Sequence, residues 1–187
     1  MDKHTDHAHL GLWTYLMSDC VLFASLFAAY AVLYTATAGG PAPADIFHPR
    51  FVLAETLILL TSSFASGLAV VFAGRQHRLG TWVALLATFA LGATFLGLEL
   101  HEFSGLVAQG YGWQRSAFLS SFFTLVGTHG LHIFTGLLWL GALFLYMAVR
   151  GLTPQAVRRI GYFSLFWHFL DIIWIFIFTI VYLIPLL

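Results

Sequence analysis

A single cysteine, Cys20, stands in the 187 residues, so an internal disulfide framework and any cysteine-rich metal site are excluded. Charge is almost as scarce. Lys, Arg, Asp and Glu together make up 9% of the chain, against about a quarter of a soluble domain. A soluble fold of this size needs more polar surface to stay dissolved. The basic and acidic residues balance at 8 each without a basic block, which argues against nucleic acid as a partner. No internal repeat or low-complexity segment interrupts the chain. The first ten residues have neither a basic start nor a small-residue cleavage site, so they do not read as a signal peptide.

What the chain has instead is apolar length. Hydrophobic residues make up 60% of it and aromatics 17%, which excludes disorder. Five apolar runs lie between the charges, at 12–35, 51–72, 81–100, 122–149 and 163–186. Each is long enough to cross a hydrocarbon core of about 30 Å as a helix at about 1.5 Å per residue. Lipid offers no partner to an open backbone, and the runs are too long for barrel strands. The expected fold is therefore all-α: one polytopic membrane domain over residues 1–187, with five transmembrane helices. The connectors carry breakers: Gly39, Gly40 and Pro41 in the first, Gly74 and Gly80 around the second, Gly105, Gly110 and Gly112 in a third running from His101 to about Ser120, and Thr153-Pro154 in the fourth. Thr153-Pro154 reads as the cap and first turn of a short surface helix. Lys3, Arg75, Arg78, Arg150, Arg158 and Arg159 fall on the N-terminal side and only Arg50 and Arg115 on the other. The positive-inside rule then puts the N terminus in the cytoplasm and the C terminus in the periplasm.

Ionisable residues inside the runs are the informative ones, because a charge at the bilayer centre costs about 2.5–3.5 kcal/mol on insertion scales. They are Asp19, Glu55, Glu99, His129, His132, His168 and Asp171. Counted from the run ends, Asp19, His168 and Asp171 form an inner layer, and Glu55, Glu99, His129 and His132 an outer one. Three readings of these layers stand. Histidines on different helices at one depth bind haem, although His168 and the His129/His132 pair are expected at different depths. Intramembrane carboxylates also build proton relays and transporter sites, although no run is broken at its middle by Pro or paired Gly. The third reading is structural: buried polar groups that satisfy one another and fix helix register. Small residues four apart, Ala24/Ala28, Ser62/Ser66, Ser63/Gly67 and Ala93/Gly97, suit close helix packing. His4, His7 and His9 lack a fourth ligand and read as a solvated tail rather than a metal site. Cys20 reads as a small buried apolar residue.

Several stretches together carry a resemblance. His129-Gly130-Leu131-His132-Ile133-Phe134-Thr135-Gly136 and Trp167-His168-Phe169-Leu170-Asp171-Ile172-Ile173-Trp174 resemble the signatures of the haem–copper oxidase subunit III family. Tyr15-Leu16-Met17-Ser18-Asp19-Cys20 is similar to the opening helix of its ubiquinol-oxidising members. The stretches Glu55-Thr56-Leu57 and Leu98-Glu99-Leu100-His101-Glu102-Phe103 fit the spans between. The likeness covers nearly the whole chain in order and implies a five-helix member. A five-helix cytochrome c oxidase subunit III is the alternative within the family. A haem b membrane anchor and a proton-coupled transporter are the alternatives outside it.

The resemblance also implies a role. In that family subunit III carries no redox centre, and no metal or catalytic residue is expected in this chain. Haems, copper and the pumping machinery belong to subunit I of a complex that also holds subunits II and IV in the bacterial inner membrane. Subunit III is expected to stabilise subunit I, to hold phospholipid in a cleft between its first two helices and the rest, and to support proton uptake. Asp19 falls at the position of the family's carbodiimide-reactive carboxylate, His129 and His132 at its paired histidines, and His168 and Asp171 at its final-helix pair.

Overall fold

The computed structural model describes residues 3–40, 46 and 49–186. Residues 41–45, 47 and 48, in the first connector, lie outside the described residues, as do the side chains of His4 and His7. Five long helices follow one another: α1 (Lys3–Leu33), α2 (Pro49–Gly74), α3 (Arg78–Ala108), α4 (Ala117–Arg150) and α5 (Pro154–Ile177). The last continues as a π-helical turn, Phe178–Leu183, and a 3₁₀ turn, Ile184–Leu186. All five are long and apolar enough to cross a membrane, and no strand occurs among the described residues. The ends of the bundle are named here by the terminus each carries, the N face and the C face.

Local chemistry sets the helix ends. Ser116 Oγ accepts the Leu119 N–H at 3.2 Å and starts α4. Thr153 Oγ1 accepts the Ala156 N–H at 3.2 Å and starts α5, with Pro154 in its first turn. Gly151 ends α4 at φ 71°, a conformation that side chains resist. At the α2–α3 corner, a Cβ on Gly80 would meet Phe72 Cγ at 2.8 Å, so only glycine fits that turn.

Helices outrun the apolar windows at their polar ends. The stretch 101–108, expected in a loop, is the last two turns of α3, and 154–161 is the start of α5 rather than a separate surface helix. A helix that has left the lipid needs no apolar side chains to persist, so hydropathy does not mark where it stops. At about 1.5 Å per residue, the 34 residues of α4 make a rod of about 51 Å.

One buried apolar cluster runs through all five helices, from Leu16 and Phe23 on α1 to Trp167, Leu170 and Trp174 on α5. α2 pairs closely with α3 and rests on α5, α5 rests on α4, and α1 leans on α4 and α5. This corrects the expected cleft, since the first two helices do not form a pair that stands apart from the rest. α5 is the most enclosed, with 50% of its apolar window buried, and α1 the least, with 22%. Among the small-residue pairs, Ser62/Ser66 is buried where α2 meets its neighbours, whereas Ala24/Ala28 and Ala93/Gly97 face outward. Cys20 is exposed, not buried as expected.

Candidate functional site: polar nodes inside an apolar bundle

Trp167 is the wedge from which the inner polar network hangs. It fills the space left by two glycines on facing helices. A Cβ on Gly92 of α3 would lie 2.7 Å from its ring, and one on Gly136 of α4 also 2.7 Å. Its indole N–H donates to Ser62 Oγ at 3.2 Å, and Ser62 Oγ donates to the Thr88 carbonyl at 3.0 Å. One hydroxyl thus ties α2, α3 and α5. Two turns on, the Trp174 indole donates to Thr56 Oγ1 at 3.0 Å. Each pair gives a buried indole N–H the acceptor it needs. Sequence reading named Ser62 only as a small residue suited to close packing and did not expect Ser62 or Thr56 as indole acceptors, because a hydroxyl in an apolar run carries no signal of what it meets.

Asp19 and His132 form a second node, between α1 and α4. His132 Nε2 lies 3.3 Å from Asp19 Oδ2, and Nδ1–H donates to the Thr128 carbonyl at 2.7 Å. With Nδ1 committed as a donor to the Thr128 carbonyl, Nε2 is the ring nitrogen that faces the Asp19 carboxyl. This corrects the two-layer depth reading, which set Asp19 apart from His132. Asp19 is 16 residues from the start of α1 at Lys3, and His132 is 18 residues from the end of α4 at Arg150, on the same face of the bundle. The helices begin and end beyond the apolar windows, so depths counted from those windows are displaced.

His129, one residue before Gly130, is fully buried and meets rings rather than polar groups. Trp174 lies 5.2 Å from it, Phe95 6.0 Å and Phe23 6.4 Å, centroid to centroid. Neither ring nitrogen has a hydrogen-bond partner among the described residues. Toward the C face, Glu55 and Glu99 are buried together with Glu102 near them, and Tyr182 donates to Glu102 Oε2 at 3.2 Å. The π turn of α5 presents Tyr182 to this group, consistent with the association of such turns with functional positions. Glu99 packs over Gly130, where a Cβ would sit 2.5 Å from its carboxyl oxygen. Glu102 and Tyr182 were not among the expected residues. The three-residue step from Glu99 to Glu102 on one helix face is the signal that finds the first of them.

His168 and Asp171 make the fourth node. His168 Nδ1 donates to the Ser164 carbonyl at 2.6 Å, and Ser164 Oγ accepts from Ser66 Oγ at 3.1 Å. Asp171 is buried beside Ser63. His168 itself is exposed, which corrects its place among the buried candidates. It follows Ser164 by four residues and so shares that edge of α5, while the wider face of the helix is taken up by Trp167 and Leu170. Among the described residues, no three His, Cys, Asp or Glu side chains converge closely enough to hold a metal ion.

Comparison with known proteins covers almost all of this architecture. The family model described as cytochrome c oxidase subunit III matches residues 3–185. The chain is 55% identical to the cytochrome bo(3) ubiquinol oxidase subunit 3 of Pseudomonas aeruginosa, over 95% of this chain and 88% of that one. It is 45% identical to the quinol oxidase subunit 3 of Bacillus subtilis, over 95% and 87%. It is 44% identical to the cytochrome c oxidase subunit 3 of Bacillus sp. strain PS3, over 93% and 84%.

Proposed function

The chain belongs to the cytochrome c oxidase subunit III family, and on that premise we propose that it is subunit III of a respiratory ubiquinol oxidase of the haem–copper class. The complex would reduce dioxygen to water with quinol electrons and pump protons. The observation that carries this reading is the 55% identity to a ubiquinol oxidase subunit 3 along 95% of the chain. It favours an oxidase subunit over a free-standing haem anchor or a transporter. Within the complex the chain acts as a scaffold. Haems and copper are assigned to subunit I, the principal partner, with subunits II and IV completing the assembly in the bacterial inner membrane. The arginines of the N face support a cytoplasmic position for that face by the positive-inside rule, and on this reading the chain supports proton uptake there.

The nodes suit a scaffold. Ser62, Thr56 and Ser66 bind α2 to α5, and the Asp19–His132 contact binds α1 to α4. Each polar group inside the bilayer has a strong reason to hold its partner, because lipid supplies none. The 44% identity to a cytochrome c oxidase subunit 3 supports a second reading, in which only the electron donor differs. One experiment tests both. The tagged chain is purified from its own membranes in mild detergent and the eluate assayed for oxygen consumption. Haem-containing partners and turnover with ubiquinol are expected. Turnover with reduced cytochrome c alone would favour the second reading, and a chain that elutes without any haem protein would reject both.

A further inference from the structure

Glu55 is the one buried carboxyl group, among the described residues, with neither oxygen in a hydrogen bond. It is fully closed to the outside, and its neighbour in sequence, Thr56, already serves the Trp174 indole. Glu99, 2% exposed, has an unpartnered Oε2 as well. Both groups lie near Glu102, closely enough for the charges of the three to act on one another and on Tyr182. Tyr182 in turn donates to Glu102 Oε2 at 3.2 Å. Three carboxyls from α2 and α3 and a phenol from the π turn of α5 thus gather at one point. No Lys, Arg or His is paired with any of the three carboxyls among the described residues. The other nodes differ, because there a polar group meets its partner directly: Trp167 on Ser62, Trp174 on Thr56, Asp19 on His132.

Neutralising these groups does not satisfy them. A protonated carboxyl exchanges an acceptor for a donor, and a buried donor needs a partner as much as a buried acceptor does. Lipid does not supply one, since Glu55 and Glu99 present almost no surface to the outside. A metal ion does not fit, since among the described residues no three His, Cys, Asp or Glu side chains converge closely enough to hold one. Water fits. It both donates and accepts, and a buried water makes about three hydrogen bonds to polar groups that otherwise have none. It also has a way in. Glu102 is only partly buried and lies past the apolar run that ends at residue 100, in the last two turns of α3. We propose that Glu55, Glu99, Glu102 and Tyr182 hold a cluster of bound water drawn from the C face, and that α2, α3 and the end of α5 are joined through it. The inference stands on the side chains of this chain alone, goes beyond the subunit reading and is independent of the electron donor.

The test is radiolytic footprinting of the protein purified with its native partners. X-ray pulses turn bound water into hydroxyl radicals, which oxidise the side chains beside it even where bulk solvent does not reach. Tyr182 and Trp167 are equally closed, each 1% exposed, and an indole is no less reactive toward the radical than a phenol. Oxidation of Tyr182 is expected to run at least five times faster than that of Trp167. With Glu55→Leu and Glu99→Leu combined, the Tyr182 rate is expected to fall at least threefold while the Trp167 rate stays the same. Glu55→Gln, which still holds water, should remain within twofold of the native rate. Equal rates at Tyr182 and Trp167 in the native protein would overturn the cluster, and so would a double Leu variant that labels Tyr182 as the native protein does. A cryo-EM map of the native complex, fine enough to resolve waters, needs no variant. Peaks within hydrogen-bond distance of the Glu55 carboxyl are expected. A direct bond from Glu55 to Glu99 or Glu102 without such a peak, or an acyl chain or metal ion in its place, would also overturn the proposal.

Discussion

Replacing Gly136 by alanine puts a methyl group where the Trp167 ring already is. The new carbon would lie 2.7 Å from Cζ3 and 3.1 Å from Cε3 of Trp167, and 3.1 Å from Cε1 of Phe166. Comfortable carbon contacts are about 3.5–4.0 Å, and both rings are held, Trp167 by its bond to Ser62 and by Gly92 behind it. Overpacking of this kind costs about 1–3 kcal/mol. Alanine returns up to about 1 kcal/mol through helix propensity. The net effect is a loss of between about 0 and 3 kcal/mol. Gly141, five residues along the same helix, has no atom within 4 Å of its would-be Cβ and supplies the control. Gly141→Ala should be neutral or gain up to about 1 kcal/mol. For a chain of this size each kcal/mol moves the midpoint by about 2–4 °C, so in thermal unfolding of the detergent-solubilised protein the two variants should differ by several degrees. A double-mutant cycle locates the clash. In a Trp167→Phe background, which removes the ring atoms concerned, Gly136→Ala should cost at least about 1 kcal/mol less than in the native one. Equal midpoints for the two alanine variants, or a cycle without coupling, would refute the wedge.

The Ser62 hydroxyl serves three helices, and Ser62→Ala leaves the buried Trp167 N–H without an acceptor; a loss of about 1–3 kcal/mol in the same unfolding assay is expected, and an unchanged midpoint would show that another group takes over. Asp19→Asn keeps a donor for His132 Nε2, so haem content of the purified complex should stay near normal while association or sustained turnover falls; Asp19→Leu, which offers nothing to His132, should loosen α1 further, measured as faster proteolysis at the α1–α2 connector. Complete loss of haem from an otherwise intact Asp19→Asn complex would contradict the scaffold role.

Five helices were legible in the sequence because lipid imposes one rule on every span: a long apolar stretch whose backbone pairs with itself. Their polar ends were not, since the last turns of α3 and the first of α5 lie where that rule lapses. The error at Asp19 and His132 followed from this, because depth was measured from the wrong origin. The candidate residues could be named in advance, as each is costly in oil and must have a reason to be there. Which way each points could not. α5 is apolar around most of its circumference, so nothing in its composition separates the edge bearing His168 from the face bearing Trp167. The π turn that delivers Tyr182 to Glu102 also leaves no mark, being a choice of hydrogen bonding within an ordinary run of large apolar residues.

The central claim is that this polypeptide braces an oxidase without carrying its pigments. The visible absorption spectrum tests it most directly, recorded first on the purified complex and again on this chain after separation from its partners under conditions that keep its helices. The expected result is that the Soret band stays with the core subunit and this chain shows only its aromatic absorbance. A Soret band that travels with this chain in stoichiometric amount would contradict the account.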